Sequence, residues 1–363
     1  MADPIKVLII DDSALIRRFL SDVINAQPDM KVVDTAADPV FARDKIKRHM
    51  PDVITLDIEM PRMDGITFLK KLMAAMPLPV VMFSSHTRAG AEATVQALSA
   101  GAVDFVAKPL SNLSQKLPQL SEEIVEKVRT AAKAKVRRTR PSLADMQVPK
   151  RIEVEEFVSI GKARPRTGGP MVALLGASTG GTVALEQVLC GLPVDCPPIA
   201  IVQHMPEHFT LAFANRLNGL AQIQIAEGED MAPLRPGTAL IAPGGKHMLL
   251  EMRGGGYHVR VKDGPPVNRH RPSVDVLFRS GVNAAGANAV AAIMTGMGDD
   301  GAKGMRDLHD AGAFTIAQNE DTCTVYGMPK AAVALGGVDR VAPLEKIAPM
   351  ILGLWKQPHG KAV

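Results

Sequence analysis

What most constrains this chain is a rhythm. Short apolar runs alternate with amphipathic stretches from residue 6 to about 135, and again from 172 to 317; a basic stretch punctuated by Pro and Gly separates the two series. In the first series, strands are predicted at 6–10, 31–35, 52–57, 79–84 and 103–107, and helices at 13–26, 39–49, 65–75, 91–100 and 121–135. Aromatics are scarce, so the cores must be built mainly from Val, Ile, Leu, Ala and Met, which suits buried parallel strands and the helices covering them. Five strands alternating with five helices through short connections predict a doubly wound, five-stranded parallel sheet. In the second series, strands are predicted at 172–175, 199–202, 289–294 and 313–317, and helices at 182–189, 209–217, 274–285 and 302–311. Shorter strands and turns fall within 223–262. This predicts an α/β/α domain with a mainly parallel sheet and antiparallel additions.

A length of 363 residues suits two domains. The first is expected at 1–126 and the second at 169–363. Between them, 127–168 reads as a linker whose start overlaps the last helix of the first domain. The net charge of +4 is unevenly placed, because residues 127–166 hold 12 basic and 4 acidic side chains while both flanks are slightly acidic. An isolated charge run of this kind is usually solvated, so no nucleic-acid partner is expected. The three Cys, at 190, 196 and 323, form no CxxC and no zinc spacing, which points to reduced thiols and a cytoplasmic protein. The N-terminal residues lead directly into a strand and do not read as a signal peptide. No run approaches the roughly 18 apolar residues a span requires, so no membrane insertion is expected.

In parallel sheets, function gathers at the carboxyl ends of the strands. Asp11 and Asp12 end the first predicted strand, Asp57 the third and Ser84 the fourth, and Lys108 closes the fifth. Carboxylates converging without a partner raise one another's pKa. A hard cation resolves the repulsion, and oxygen-only ligands suit Mg²⁺. A lysine and a hydroxyl nearby could hold the oxygens of a phosphoryl group carried on a carboxylate.

The second domain opens with Gly176-Ala177-Ser178-Thr179-Gly180-Gly181 between a predicted strand and a helix, a G-x-S-x-G match in the context that motif requires. A phosphate-cradling glycine loop is the rival reading, although no Gly-Lys-Ser/Thr is present. A serine nucleophile needs a base, and the base an orienting acid. Of the histidines at 204, 208, 247, 258, 270 and 309, only His204 directly follows a predicted buried strand. Asp299 and Asp300 follow the strand at 289–294 through Thr295-Gly296-Met297-Gly298. All three groups therefore fall on one sheet edge. Their chain order, Ser…His…Asp, differs from that of α/β-hydrolases. Thr179 has a plain alternative role as a helix cap, Met205 and Met297 as lining or core, and His247 as a structural residue in a Gly-flanked loop.

With these residues in hand, the first series resembles the response-regulator receiver domain over about 5–125: Asp11-Asp12, Asp57 within Thr55-Leu56-Asp57-Ile58-Glu59-Met60-Pro61, Gly65, Ser84 and Lys108-Pro109. The resemblance implies Asp57 as phosphoryl acceptor. It implies Mg²⁺ held directly by Asp12, Asp57 and the Glu59 carbonyl, with Asp11 acting through water. Ser84 and Lys108 would engage the phosphoryl group, and Phe105 would be the aromatic switch.

The second series resembles the bacterial chemotaxis protein-glutamate methylesterases through the serine turn, Gln203-His204-Met205-Pro206, Ala242-Pro243-Gly244-Gly245-Lys246-His247 and Thr295 to Ala302. That resemblance implies Ser178 as nucleophile, His204 as general base and acid, and Asp300 as the orienting carboxylate. The Met297 backbone N–H, assisted by Thr179, would form the oxyanion hole, and hydrolysis itself would need no cofactor. It further implies chemoreceptors as substrates, deamidation of receptor glutamine, a chemotaxis histidine kinase as phosphodonor, and a place at chemoreceptor arrays. The unphosphorylated receiver would restrict access to the catalytic cleft. A receiver-controlled binding module without catalysis and a DNA-binding regulator are the competing classes; no helix-turn-helix follows the receiver to serve the latter.

Overall fold

The structure is a computed structural model describing residues 3–60, 63–85, 88–108, 113–135, 157–160 and 169–356. It divides into two compact units, Met1–Asp145 and Met146–Val363. Residues 136–156 and 161–168 of the expected linker lie outside the described residues, as do Pro61 and Pro109.

The first unit contains β1 (Ile5–Ile10), α1 (Ala14–Asn25), β2 (Met30–Ala36), α2 (Pro39–His49), β3 (Val53–Asp57), α3 (Gly65–Ala75), β4 (Val80–Ser85), α4 (Arg88–Ser99), β5 (Asp104–Lys108) and α5 (Leu113–Ala131). The sheet order is β2-β1-β3-β4-β5, with every pairing parallel. Local chemistry fixes where the helices begin. The Ser13 hydroxyl accepts from Ile16 N, Asp38 caps α2 by accepting from Val40 N and Phe41 N, and Asp64 accepts from Thr67 N. Such caps satisfy N–H groups that the first helical turn leaves unbonded. α5 departs from expectation: it starts at Leu113 and ends at Ala131, not at 121 and 135. The helix runs through Pro118.

The second unit is built on a seven-stranded sheet of order β15-β14-β13-β6-β7-β10-β8. Its strands are β6 (Val172–Ala177), β7 (Ile199–Gln203), β8 (Gln224–Glu227), β10 (Thr238–Ile241), β13 (Ala289–Ile293), β14 (Phe314–Gln318) and β15 (Arg340–Ala342). Every pairing in it is parallel. The antiparallel strands form a separate sheet of β9 (Pro233–Leu234), β11 (His247–Arg253) and β12 (Gly256–Lys262). The helices are α6 (Gly181–Cys190), α7 (Phe209–Asn218), α8 (Val274–Ala284), α9 (Ala302–Asp310), α10 (Met328–Ala334) and α11 (Leu344–Trp355). Val172 and Leu174 of β6 pack with Leu277 and Phe278 of α8 and Met305 of α9 in one buried cluster. From β6 the chain first winds toward β7 and later returns to add β13 on the other side of β6. That reversal opens a crevice at the carboxyl ends of β6 and β13, where such sheets bind ligands. Among the described residues, no helix is long and apolar enough to cross a membrane.

Candidate active site

Because β6 and β7 pair in parallel with Ala177 opposite Gln203, the next residues, Ser178 and His204, leave adjacent strands on the same edge. His204 N donates to Ala177 O at 3.2 Å, and Ser178 N donates to Thr295 O, in the loop after β13, at 3.0 Å. Gly180 takes a left-handed φ of 76° to turn the chain into α6, a conformation an L side chain rarely adopts. The Gln203 amide donates to Ser178 O at 2.9 Å and to His204 O at 3.3 Å, tying the serine turn to the histidine backbone. Gly296 approaches closely, since a Cβ there would stand 2.7 Å from Ser178 Cβ. Met297, half-buried, follows in the chain. Thr179 is buried, and its carbonyl accepts from Thr295 Oγ1 at 2.9 Å.

The imidazole of His204 meets Asp300, with Nε2 and Oδ2 2.9 Å apart. Asp300 is buried, whereas Asp299 is exposed, so Asp300 is the acid paired with His204. Its carboxylate also accepts from Asn268 Nδ2 (2.7 Å), Ser273 Oγ (2.7 Å), Val274 N (2.6 Å) and Asp275 N (3.4 Å). The last two are free N–H groups of the first turn of α8, where an anion is favoured. Burial pushes the Asp300 carboxyl up, but the hydrogen bond and charge of His204, with the charge of His270 and the Asn268 amide, outweigh it and hold it far below the usual carboxylate range. Beside it, burial and then the charge of Asp300 push Asp275 up to about 8. Asp275 accepts from Gly304 N at 2.6 Å and from the same Asn268 amide.

With Nε2 committed to Asp300, the other ring nitrogen of His204, Nδ1, is buried and has no hydrogen-bond partner. Ser178 Oγ makes no hydrogen bond among the described residues, so the expected serine–histidine bond is not formed in this structure; catalytic hydrogen bonds often tighten only once substrate is bound. Sequence reasoning did not single out Asn268, Ser273 or Asp275, nor the placement of His270, whose ring stacks on that of His204 with centroids 3.8 Å apart and planes 9° apart. His247 is buried as a structural residue: its Nε2–H donates to Pro265 O at 2.9 Å, and its ring lies 4.7 Å from that of Phe157.

In the first unit, Asp11, Asp12 and Asp57 offer carboxylate oxygens within 4.8 Å of one another. Lys108 Nζ lies 2.8 Å from Asp57 Oδ1 and 3.0 Å from Asp11 Oδ2. Burial and then the charge of Asp11 push the Asp57 carboxyl up to about 6 against the pull of Lys108. Burial opposes the charge on Lys108, but the two carboxylates overcome it and raise its pKa above the ordinary lysine value. Three converging oxygen donors with more negative charge than one lysine neutralises fit a hard divalent cation. The Ser84 hydroxyl, buried, donates to Gly90 O at 3.0 Å. Glu59 accepts from the Ser85 hydroxyl at 3.2 Å. Phe105 is buried, with Lys127 Nζ 4.8 Å above its ring.

Two family models match the two units: response regulator receiver domain over residues 7–117 and CheB methylesterase over 173–351. A protein-glutamate methylesterase/protein-glutamine glutaminase of Geobacter metallireducens is 52% identical over 357 residues, covering 98% of this chain and 97% of that protein. One of Chromobacterium violaceum is 53% identical over 353 residues, covering 96% of this chain and 99% of its own. The crystal structure of the Thermotoga maritima CheB methylesterase catalytic domain is 35% identical with a TM-score of 0.50, covering 51% of this chain and 99% of that one. A receiver joined to a hydrolase domain defines a response regulator whose output is an enzymatic reaction. The chain belongs to the CheB methylesterase family, the ester hydrolases of the chemotaxis two-component system.

Proposed function

We propose that this chain hydrolyses glutamate γ-methyl esters on chemoreceptors, releasing methanol, under the control of phosphorylation at Asp57. Ser178 Oγ attacks the ester carbonyl carbon while His204 Nδ1 takes its proton. Asp300 fixes the tautomer with the proton on Nε2 and stabilises the imidazolium that forms. The Met297 N–H, with Thr179 beside it, donates to the oxyanion, an interaction worth about 3–4 kcal/mol for one such donor. The imidazolium then protonates the departing methoxide. His204 next draws a proton from water, whose oxygen attacks the acyl carbon, and the imidazolium returns that proton to Ser178 Oγ as the acyl–oxygen bond to the enzyme breaks. The same acyl chemistry deamidates receptor glutamine, with ammonia leaving in place of methanol.

What carries this reading is the His204–Asp300 pair, which leaves one buried ring nitrogen unbonded on the strand next to the serine. Methanol release from methylated chemoreceptor membranes tests it. The full chain is expected to be active and Ser178→Ala inactive; release sustained by Ser178→Ala overturns it.

In the receiver, Mg²⁺ would be held by Asp12, Asp57 and the Glu59 carbonyl, with Asp11 acting through water, and when bound it would offset the charge of the carboxylates and of an incoming phosphoryl group. Asp57 Oδ accepts the phosphoryl group from a chemotaxis histidine kinase, Lys108 pairs with its oxygens, and Ser84 and Phe105 reorient in response. The esterase is thereby controlled by a cytoplasmic signal at chemoreceptor arrays. A small phosphodonor is expected to raise methanol release by the wild type and to leave Asp57→Asn unchanged; an equal response from both sinks the coupling.

A further inference from the structure

A tight turn delivers two side chains to the pair just described. Val267 and His270 bond to each other through both backbone groups, His270 N to Val267 O at 2.8 Å and Val267 N to His270 O at 3.0 Å. The two residues between them, Asn268 and Arg269, both take left-handed φ values, 50° and 72°. This is the geometry of a two-residue hairpin turn, and it fixes the directions in which its neighbours project. Asn268 points inward, is buried, and donates from one amide nitrogen to Asp300 and to Asp275. His270 lays its ring flat on that of His204.

We propose that Asn268 and His270 are positioning residues for hydrolysis, one for the acid and the other for the base. The proposal rests on the assignment of His204 and Asp300 given above. A single hydrogen bond at Nε2 pins one point of the His204 ring but not its plane, and the opposite nitrogen has no partner to complete the task. A parallel ring at 3.8 Å supplies the missing restraint, so that Nδ1 stays aimed where a serine proton must be collected. Asn268 acts on the other partner. An amide that donates to Asp300 and is itself fixed against Asp275 holds Asp300 where Nε2 meets it. Neither residue needs to touch substrate, so their loss falls on turnover and leaves substrate binding unchanged.

The test is steady-state methanol release by the full chain from methylated chemoreceptor membranes, with each variant's thermal midpoint measured alongside. His270→Ala and Asn268→Ala are each expected to lower kcat by about 10- to 100-fold with KM within about twofold of wild type, the scale on which a small misplacement of reacting groups acts. His270→Phe retains a flat ring and is expected to recover kcat to within about fivefold. Because both residues act through one pair, the double variant is expected to be little worse than the poorer single one. Wild-type kcat in folded His270→Ala overturns the proposal, as does a His270→Phe chain no better than the alanine variant. Should Asn268→Ala fail to fold, the two His270 variants still decide. An active Ser178→Ala would instead remove the underlying assignment, whereas an inactive Ser178→Ala beside a fully active His270→Ala removes this inference alone.

Discussion

The carboxylate of Asp300 meets the imidazole of His204 at Nε2, 2.9 Å away, and Nδ1 is left buried and unbonded. Asp300 reaches that position because the start of α8 and the side chains of Asn268 and Ser273 hold it there as an anion. Replacing Asp300 by Asn keeps the shape and removes the charge, and an amide nitrogen facing Nε2 selects the wrong tautomer. Asp300→Asn is expected to lower kcat about 10⁴-fold, read as methanol release, the loss that this exchange causes in a serine triad. A loss under about tenfold would mean that the acid does not orient the base.

Gly296 is expected to be intolerant of any side chain. A Cβ there would stand 2.3 Å from Met328 Sδ and 2.7 Å from Ser178 Cβ, so either Ser178 or the packing of α10 must shift. Gly296→Ala is expected to cost about 1–3 kcal/mol of stability through overpacking and about 100-fold in kcat through displacement of Ser178. Chemical denaturation and methanol release measure the two losses separately.

Asp57 links stability to pH. Its carboxyl titrates at about 6 in the folded chain, above the ordinary 3.8, so the folded state binds the proton more tightly than the unfolded one. Stability contributed by protonation is fully present below 3.8 and is lost as pH rises through 6. At pH 7.5 the ionised, buried carboxylate therefore destabilises the metal-free protein, on the order of 2–3 kcal/mol. Asp57→Asn is expected to raise the thermal midpoint of the metal-free chain at pH 7.5 and to gain progressively less as the pH is lowered through 5. A gain that is equal at both pH values would contradict the titration.

Lys127 is the anchor of the Phe105 ring. Its ammonium lies 3.2 Å from Asp104, 3.1 Å from Glu123 and 4.8 Å over the ring, and it donates to the Phe105 carbonyl. Lys127→Met removes all four contacts and is expected to destabilise the receiver by about 1–2 kcal/mol, the scale of a few partly exposed polar and cation–π contacts. The chain has one Trp, at 355 in the second unit, which separates the signals. The urea transition followed by far-UV circular dichroism should shift, while that of Trp355 fluorescence should stay in place.

The strands that carry the site were legible because buried parallel strands are written as uninterrupted apolar runs, and a polar residue that ends such a run, like Ser178, His204 or Asp57, stands out against it. The choice between Asp299 and Asp300 was not visible in composition; it is made by the donors at the start of α8, which come from a segment 25 to 27 residues earlier in sequence. The turn at Val267–His270 was harder still. It holds two left-handed residues without a glycine, and its usable signal was Asn268, a residue that tolerates that conformation. The antiparallel strands were expected within 223–262, but their separation into an independent sheet depends on long-range pairing that local pattern does not encode. The last two helices and β15 fall beyond the point where the alternation could be followed.

An imidazole that spends its outer nitrogen on the acid offers the nitrogen nearest its own main chain to the nucleophile. The serine would then have to arrive from close beside the histidine backbone, and Ser178 and His204 leave neighbouring strands on the same edge. Reagents shaped for hydrolases whose base presents the far corner of the ring would reach this pocket with the wrong lateral offset, and a selective inhibitor would be built around the shorter reach.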